Sequence, residues 1–221
     1  MITKLENGRI YDPINKINGK IKDLFIKNGK IIDRPKRNEK ISKIINFKKK
    51  IIMAGGIDIH SHIAGGKVNL ARLLLPEEHR KYLYSSSDKL RSGSGLGTCS
   101  SFHIGYKYAK LGYTAVFEPA TLPCNARSTI IEMSDIPFID KGTYTVLSND
   151  DFLLKLIQKK SNQKKINDYV AWIIQSTKSL GIKIVNPGGI NAFKFNQREL
   201  DLDEKNKKYN ITPRSILKVL T

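Results

Sequence analysis

Disulfide scaffolding, zinc-finger chemistry and membrane insertion all lack raw material in these 221 residues. Cysteine is scarce: Cys99 and Cys124 stand 25 positions apart, with no CxxC spacing. No apolar run approaches the ~18 residues that a membrane span requires. Residues 1–15 carry Lys4, Glu6 and Arg9 and no continuous apolar stretch, so no secretory leader is visible. These absences lead us to expect a reduced, cytoplasmic, soluble protein with no membrane partner. The 40% hydrophobic and 27% charged fractions are those of an ordinary globular chain. A chain of this length buries roughly 70% of its unfolded surface, enough for a sizeable core.

Acidic residues are also scarce, 20 against 39 Lys and Arg, for a net charge of +19. That balance raises nucleic acid as a partner, but the excess is unevenly placed. Residues 1–50 carry 15 basic and 5 acidic side chains, and residues 151–221 carry 14 and 6. Residues 51–150 are nearly neutral, with 10 and 9. The surplus is lysine, 30 against 9 Arg, and it travels with 30 Ile and 16 Asn, the trio an A/T-rich genome supplies. Specific nucleic-acid sites favour arginine forks and stacked aromatics, and no basic-aromatic interleaving is present. No nucleic-acid partner is expected.

The chain divides near residue 50. Before it, Leu24-Phe25-Ile26 and Ile31-Ile32 flank Asn28-Gly29, the signature of a two-residue hairpin turn. Asn7-Gly8 and Asn18-Gly19 are further turn candidates, so residues 1–50 read as a small, lysine-rich β-module. After it, the apolar run Ile51-Ile52-Met53-Ala54-Gly55-Gly56-Ile57-Asp58-Ile59 reads as one strand buried on both faces of an α/β sheet. Residues 67–100 are irregular, with Ser85-Ser86-Ser87 and residues 91–97 as loop signals. Helices are expected over 101–111 (closed by Gly112), 151–160 and 168–180. The last takes Asn167 or Asp168 as N-cap, an apolar face of Val170, Ile173, Ile174 and Leu180, and Gly181 as its stop. Further strands are expected at 114–117, 143–147 and 182–185. Strands alternating with helices argue for a parallel sheet, and about four such units make half of a (β/α)8 barrel.

Three residues stand out chemically. His60 and His62, two apart at the C-terminal end of a strand, face the same way and can converge on one metal ion where barrels keep their active sites. Asp58 is in phase with them and could orient an imidazole. Lys183 lies in the apolar frame Ile182-Lys183-Ile184-Val185, where desolvation depresses an ammonium's pKa; a neutral lysine amine can add carbon dioxide and become an anionic carbamate able to bridge two cations. The simpler reading of Lys183, one of thirty lysines snorkelling from a strand end, stays open. Others offer less. Gly93, Gly95 and Gly97 miss the GxGxxG phosphate fingerprint because Thr98 follows. His79 reads as a surface histidine and His103 as a helix-start histidine. Cys99 and Cys124 are not read as nucleophiles, Glu118 reads as a polar wall of the active mouth, and Trp172 as core.

The blocks "GGIDIHSHIAGGKVNLAR" (55–72), "GYTAVFEPAT" (112–121) and "GIKIVNPGG" (181–189), with the opening "NGRIYDPINKINGKIKDLFIKNGKII" (7–32), resemble the amidohydrolase-type subunit of formylmethanofuran dehydrogenase. This is a branch of the amidohydrolase superfamily. The likeness runs along the whole chain but covers only the amino-terminal part of the family's length. It implies a partial amidohydrolase-type TIM barrel over residues 51–221, preceded by a small N-terminal β-sandwich module over residues 1–50. It also implies two zinc ions, with His60 and His62 ligating one and Lys183, as N6-carboxylysine, bridging both. The implied activity joins formate to the amine of methanofuran, in the first step of carbon dioxide reduction in methanogenesis. Other formylmethanofuran dehydrogenase subunits would be partners and would carry a tungsten- or molybdenum-pterin and iron–sulfur centres. The family's remaining ligands and its catalytic aspartate lie on later strands, so the catalytic residues are expected downstream of Thr221 and the isolated chain is expected to be inactive.

Two other readings remain: a binuclear-metal cyclic amidohydrolase of the hydantoinase or dihydroorotase type, and a non-catalytic basic binding fragment. Salt-dependent DNA binding separates the last from the others. Because residues 51–150 carry so little net charge, no sequence-specific DNA complex is expected to survive physiological salt in a mobility-shift titration.

Overall fold

The computed structural model describes residues 1–75, 77, 101–185, 196 and 199–221. The chain forms two compact units, Met1–Gly55 and Gly56–Thr221. The segment 186–189 after Lys183, the glycines 93–97, Ser85 to Ser87, His79 and Cys99 fall outside the described residues.

The first unit is built on β1 (Ile2–Asp12), which pairs antiparallel with β2 (Ile17–Lys27), itself paired with β3 (Lys30–Ile32). The other edge of β1 is shared by two short parallel strands. β4 (Lys43–Asn46) runs along Thr3 to Glu6 and β5 (Ile51–Met53) along Arg9 to Tyr11. Among the described residues this unit holds one five-stranded sheet where a sandwich was expected. Asn28 and Gly29 form the expected turn, with φ of 52° and 75°. The other two Asn-Gly pairs are not turns. Both sit at register slips inside the β1–β2 ladder, with Asn7 at φ 62° and Gly19 at φ 68°. They are bulges, which use the same positive-φ tolerance to bend a strand instead of ending it.

Among the described residues the second unit holds four parallel strands in sequence order, β6 (Gly56–Asp58), β7 (Tyr113–Thr121), β8 (Asp140–Val146) and β9 (Gly181–Lys183). Its helices are α1 (Gly66–Leu73), α2 (Phe102–Lys110), α3 (Ala126–Ser134), α4 (Asp151–Gln158), α5 (Gln163–Thr177) and α6 (Pro213–Leu220). The apolar run 51–59 is therefore two strands in two sheets, parted at Ala54 and Gly55. It is not buried on both faces: Ile57 and Ile59 are 63% and 64% exposed, and Ile57 pairs with Ala115 on the face opposite the helix-packed Val116. Two apolar clusters pack the helices on the sheet. Val116 joins Ile63, Ala64, Met133, Ile136 and Ile139, while Leu147 joins Leu153, Leu156, Ile166 and Ile173.

The fifth helix begins earlier than its apolar pattern indicates, capped by the Asn162 side chain rather than by Asn167 or Asp168. It ends at Lys178 in the left-handed conformation, so Gly181 opens β9 instead of stopping the helix. Its buried stripe is Ile166, Ile173 and Thr177, which leaves Trp172 and Leu180 largely exposed, against expectation.

α2 is pressed against the loop before β8, and a Cβ at Gly105 would stand 2.0 Å from the Pro137 carbonyl oxygen. Ala in place of Gly ordinarily gains a helix about 1 kcal/mol, but overpacking costs typically about 1–3 kcal/mol. In the intact protein, Gly105→Ala is expected to lower the thermal midpoint.

Candidate metal centre

Beyond Asp58 the chain turns while still tied to the sheet. Asp58 Oδ1 accepts from the His60 backbone N–H at 3.0 Å, and the Ser61 N–H donates to the Phe117 carbonyl at 3.0 Å. Asp58 therefore shapes the backbone and does not orient an imidazole, the role its phase suggests. Ser61 is buried and its hydroxyl meets that of Tyr108 on α2. Burial pushes the Tyr108 phenol above its ordinary value; the Ser61 hydroxyl opposes that rise and the Asp58 carboxylate adds to it.

With Ser61 anchored, His60 and His62 stand on either side of it. Their ring centroids are 5.5 Å apart and their planes nearly perpendicular, at 87°. Lys183, the last residue of β9, reaches the first of them: its Nζ lies 3.1 Å from His60 Nε2 and 3.5 Å from Nδ1. The three residues singled out in the sequence thus meet, although Lys183 comes from the strand at the opposite edge of the sheet. The frame around Lys183 is half-buried rather than buried.

His62 has a partner that its sequence neighbourhood does not reveal. Glu118 lies at 1% exposure, and its Oε1 stands 3.1 Å from His62 Nδ1. The same carboxylate accepts from the backbone N–H of Ile63 at 2.8 Å, Ala64 at 3.3 Å and Ala120 at 2.9 Å. Three amides and an imidazole make a buried carboxylate tolerable. Since a carboxylate only accepts, His62 Nδ1 is the ring nitrogen that donates to Glu118, which directs Nε2 away from it, the arrangement seen where a carboxylate orients a metal-binding histidine. A glutamate interrupting the apolar frame Val116-Phe117-Glu118-Pro119 is the signal in the sequence that could find it.

From His62 a cavity of about 520 Å³ opens between α1 and α2, lined by Val68, Ala71, Ile104 and Leu122 with Lys67, Arg72 and Lys107 among its polar members. His103, the second residue of α2, lines it too and is buried. Cys124 is exposed. Among the described residues, no group of three or more His, Cys, Asp or Glu is placed to hold a metal ion. The donor set therefore depends on Lys183: as an ammonium it repels a cation, and as a carbamate it contributes two oxygens.

A four-stranded parallel sheet with a histidine pair at the end of its first strand and a lysine at the end of its fourth defines the class. The chain belongs to the amidohydrolase family, whose model matches residues 43–202. It is 38% identical over 216 residues to protein FwdA of Methanocaldococcus jannaschii, covering 98% of this chain and 37% of that one. It is 36% identical over 220 residues to a component of the formyltransferase/hydrolase complex Fhc of Methylorubrum extorquens, covering 100% of this chain and 39% of that one. The crystal structure of that complex with methylofuran matches all of this chain, and 39% of its own, at a TM-score of 0.83 and 34% identity. A dihydroorotase of Elusimicrobium minutum is 40% identical over 60 residues only, covering 27% of this chain and 14% of that one. The chain thus spans under two fifths of the length of its full-coverage relatives.

Removing the Glu118 carboxylate leaves buried amides unpaired, at about 1–3 kcal/mol each. In the intact protein, Glu118→Ala is expected to cost at least about 3 kcal/mol of unfolding free energy by denaturant titration, and Glu118→Gln markedly less.

Proposed function

We propose that this chain is the amino-terminal portion of the formyl-transferring subunit of a formylmethanofuran dehydrogenase-type complex. The whole subunit joins formate to the amine of methanofuran, so a C–N bond forms and one carboxylate oxygen leaves as water. The observation that carries the reading is the approach of Lys183 Nζ to His60 at 3.1 Å in a chain similar end to end to FwdA. His60, His62 and Lys183 as its carbamate would hold a binuclear zinc centre, which would supply the Lewis acidity that polarises a carboxylate.

The chain's own residues prepare the site. Glu118 holds the proton on His62 Nδ1, and the Asp58 and Ser61 bonds fix the turn that sets the two imidazoles apart. Carboxylation of Lys183 removes a cation from beside His60 and replaces it with an anion, which a binuclear cation site requires. The remaining ligands and the catalytic base are assigned to strands beyond Thr221, and the pterin and iron–sulfur chemistry to partner subunits. Among the described residues no helix is long and apolar enough to cross a membrane. The cyclic-amide hydrolase alternative is weaker, since the likeness to dihydroorotase stops at 60 residues.

In the intact protein, His60→Ala with His62→Ala is expected to abolish zinc retention by elemental analysis; unchanged zinc content sinks the assignment. Lys183→Ala and Lys183→Arg are expected to lose the bridged pair and the activity. A short carboxylic acid should partly restore Lys183→Ala by filling the vacated bridge. An intact binuclear centre in Lys183→Ala without added acid defeats the carbamate.

A further inference from the structure

Immediately after His62 the chain runs through residues 63–65, whose three backbone N–H groups are taken by buried charged side chains. Glu118 takes the Ile63 and Ala64 N–H groups on one side. On the other, Glu132 of α3 accepts from the Gly65 N–H at 2.8 Å, and Arg72 of α1 donates to the Ile63 carbonyl. Arg72 and Glu132 pair with each other at 2.7 Å, their side chains only 10% and 9% exposed. Asn69 of α1 donates to Glu132 Oε2 at 3.0 Å and accepts from Arg72 at 2.7 Å. Gly65 sits at φ 96°, where a side chain is strained, and a Cβ there would stand 3.0 Å from Thr129 Oγ1.

A buried ion pair is a poor device for stability alone, because an apolar pair of the same volume commonly does as well. What a guanidinium fork and a carboxylate supply is fixed geometry. We infer that Arg72 and Glu132 are positioning residues for the metal centre, acting through the backbone of residues 63–65 to set where His62 stands against Glu118 and His60. This rests on the metal reading proposed above. Neither residue is a ligand: Arg72 cannot accept a metal bond, and Glu132 is committed to Gly65, Asn69 and Arg72.

The test separates positioning from folding. In the intact protein, zinc affinity is measured by competition with a chromophoric chelator, and thermal midpoints are measured on the metal-stripped form. Glu132→Gln, which keeps an acceptor for Gly65 and Asn69 but loses the charged fork with Arg72, is expected to keep its midpoint near wild type, whereas Arg72→Met with Glu132→Leu also unpairs the Gly65 N–H and the Ile63 carbonyl and is expected to lower it. Both are expected to lose roughly 10–100-fold in zinc affinity, the usual cost of losing a partner that orients a metal-binding histidine. Leu153→Ala, in the core at 0% exposure, is expected to do the reverse, with a lower midpoint and unchanged affinity. If the double variant does not fold, Glu132→Gln alone decides by the same affinity measurement. Zinc affinity within threefold of wild type in the clamp variants overturns the inference and leaves the metal reading standing, provided that His60→Ala with His62→Ala still loses zinc. A wild-type protein that binds no zinc overturns both.

Discussion

Curvature of the four-stranded parallel sheet is the constraint on which the site depends. β6 and β9 are its outer strands. In a flat sheet they would lie about 14 Å apart at the usual spacing, with side chains standing parallel to one another off the surface. Lys183 could not then meet His60. The sheet bends because it twists and because its helices cover the other face, where Val116 and Leu147 anchor the two apolar clusters. The ladder register puts Phe117, Gly142, Tyr144, Val146 and Lys183 on the inner face together. Gly142 is needed there, since a Cβ would stand 2.7 Å from both Phe117 and Leu180.

Bending brings the two imidazoles and Lys183 to one place, and buried charge then fixes the histidine loop. Glu118 ties the end of β7 to the histidine loop, while Arg72 and Glu132 tie α1 and α3 to the residues that follow. The sequence blocks "GGIDIHSHIAGGKVNLAR" and "GYTAVFEPAT" thus meet in one hydrogen-bonded assembly. The first supplies the imidazoles and the guanidinium, and the second supplies the carboxylate that holds Nδ1 of His62. The two carboxylates taken out of water here, Glu118 and Glu132, each find backbone amides together with an imidazole or a guanidinium.

Much of this is legible in the chain. The Asn28-Gly29 turn, the alternation of strands and helices, the His60/His62 pair and the oddity of Lys183 follow from local pattern, and local pattern decides them. The departures have physical causes. An apolar run such as residues 51–59 does not reveal that it breaks between two sheets, since burial is set by neighbours the sequence does not order. The polar start Gln163-Lys164-Lys165 hides the first turn of α5, where Asn162 caps and no apolar stripe has begun. Trp172 reads as core by composition but lies off the stripe of Ile166 and Ile173. Glu118, like Lys183, is a charge in an apolar frame, and reading it as a polar wall understates it. The Arg72–Glu132 pair spans 60 residues, and no local pattern announces it.

The central claim is that Lys183 is an anionic bridge and not a bystander ammonium. Diffraction from crystals of the intact protein, with anomalous data at the zinc edge, tests it most directly. The account predicts two anomalous peaks beside His60 and His62, with density extending Lys183 Nζ into a carboxylate between them. An unmodified Lys183 amine hydrogen-bonded to His60, with no zinc peak beside either histidine, contradicts it.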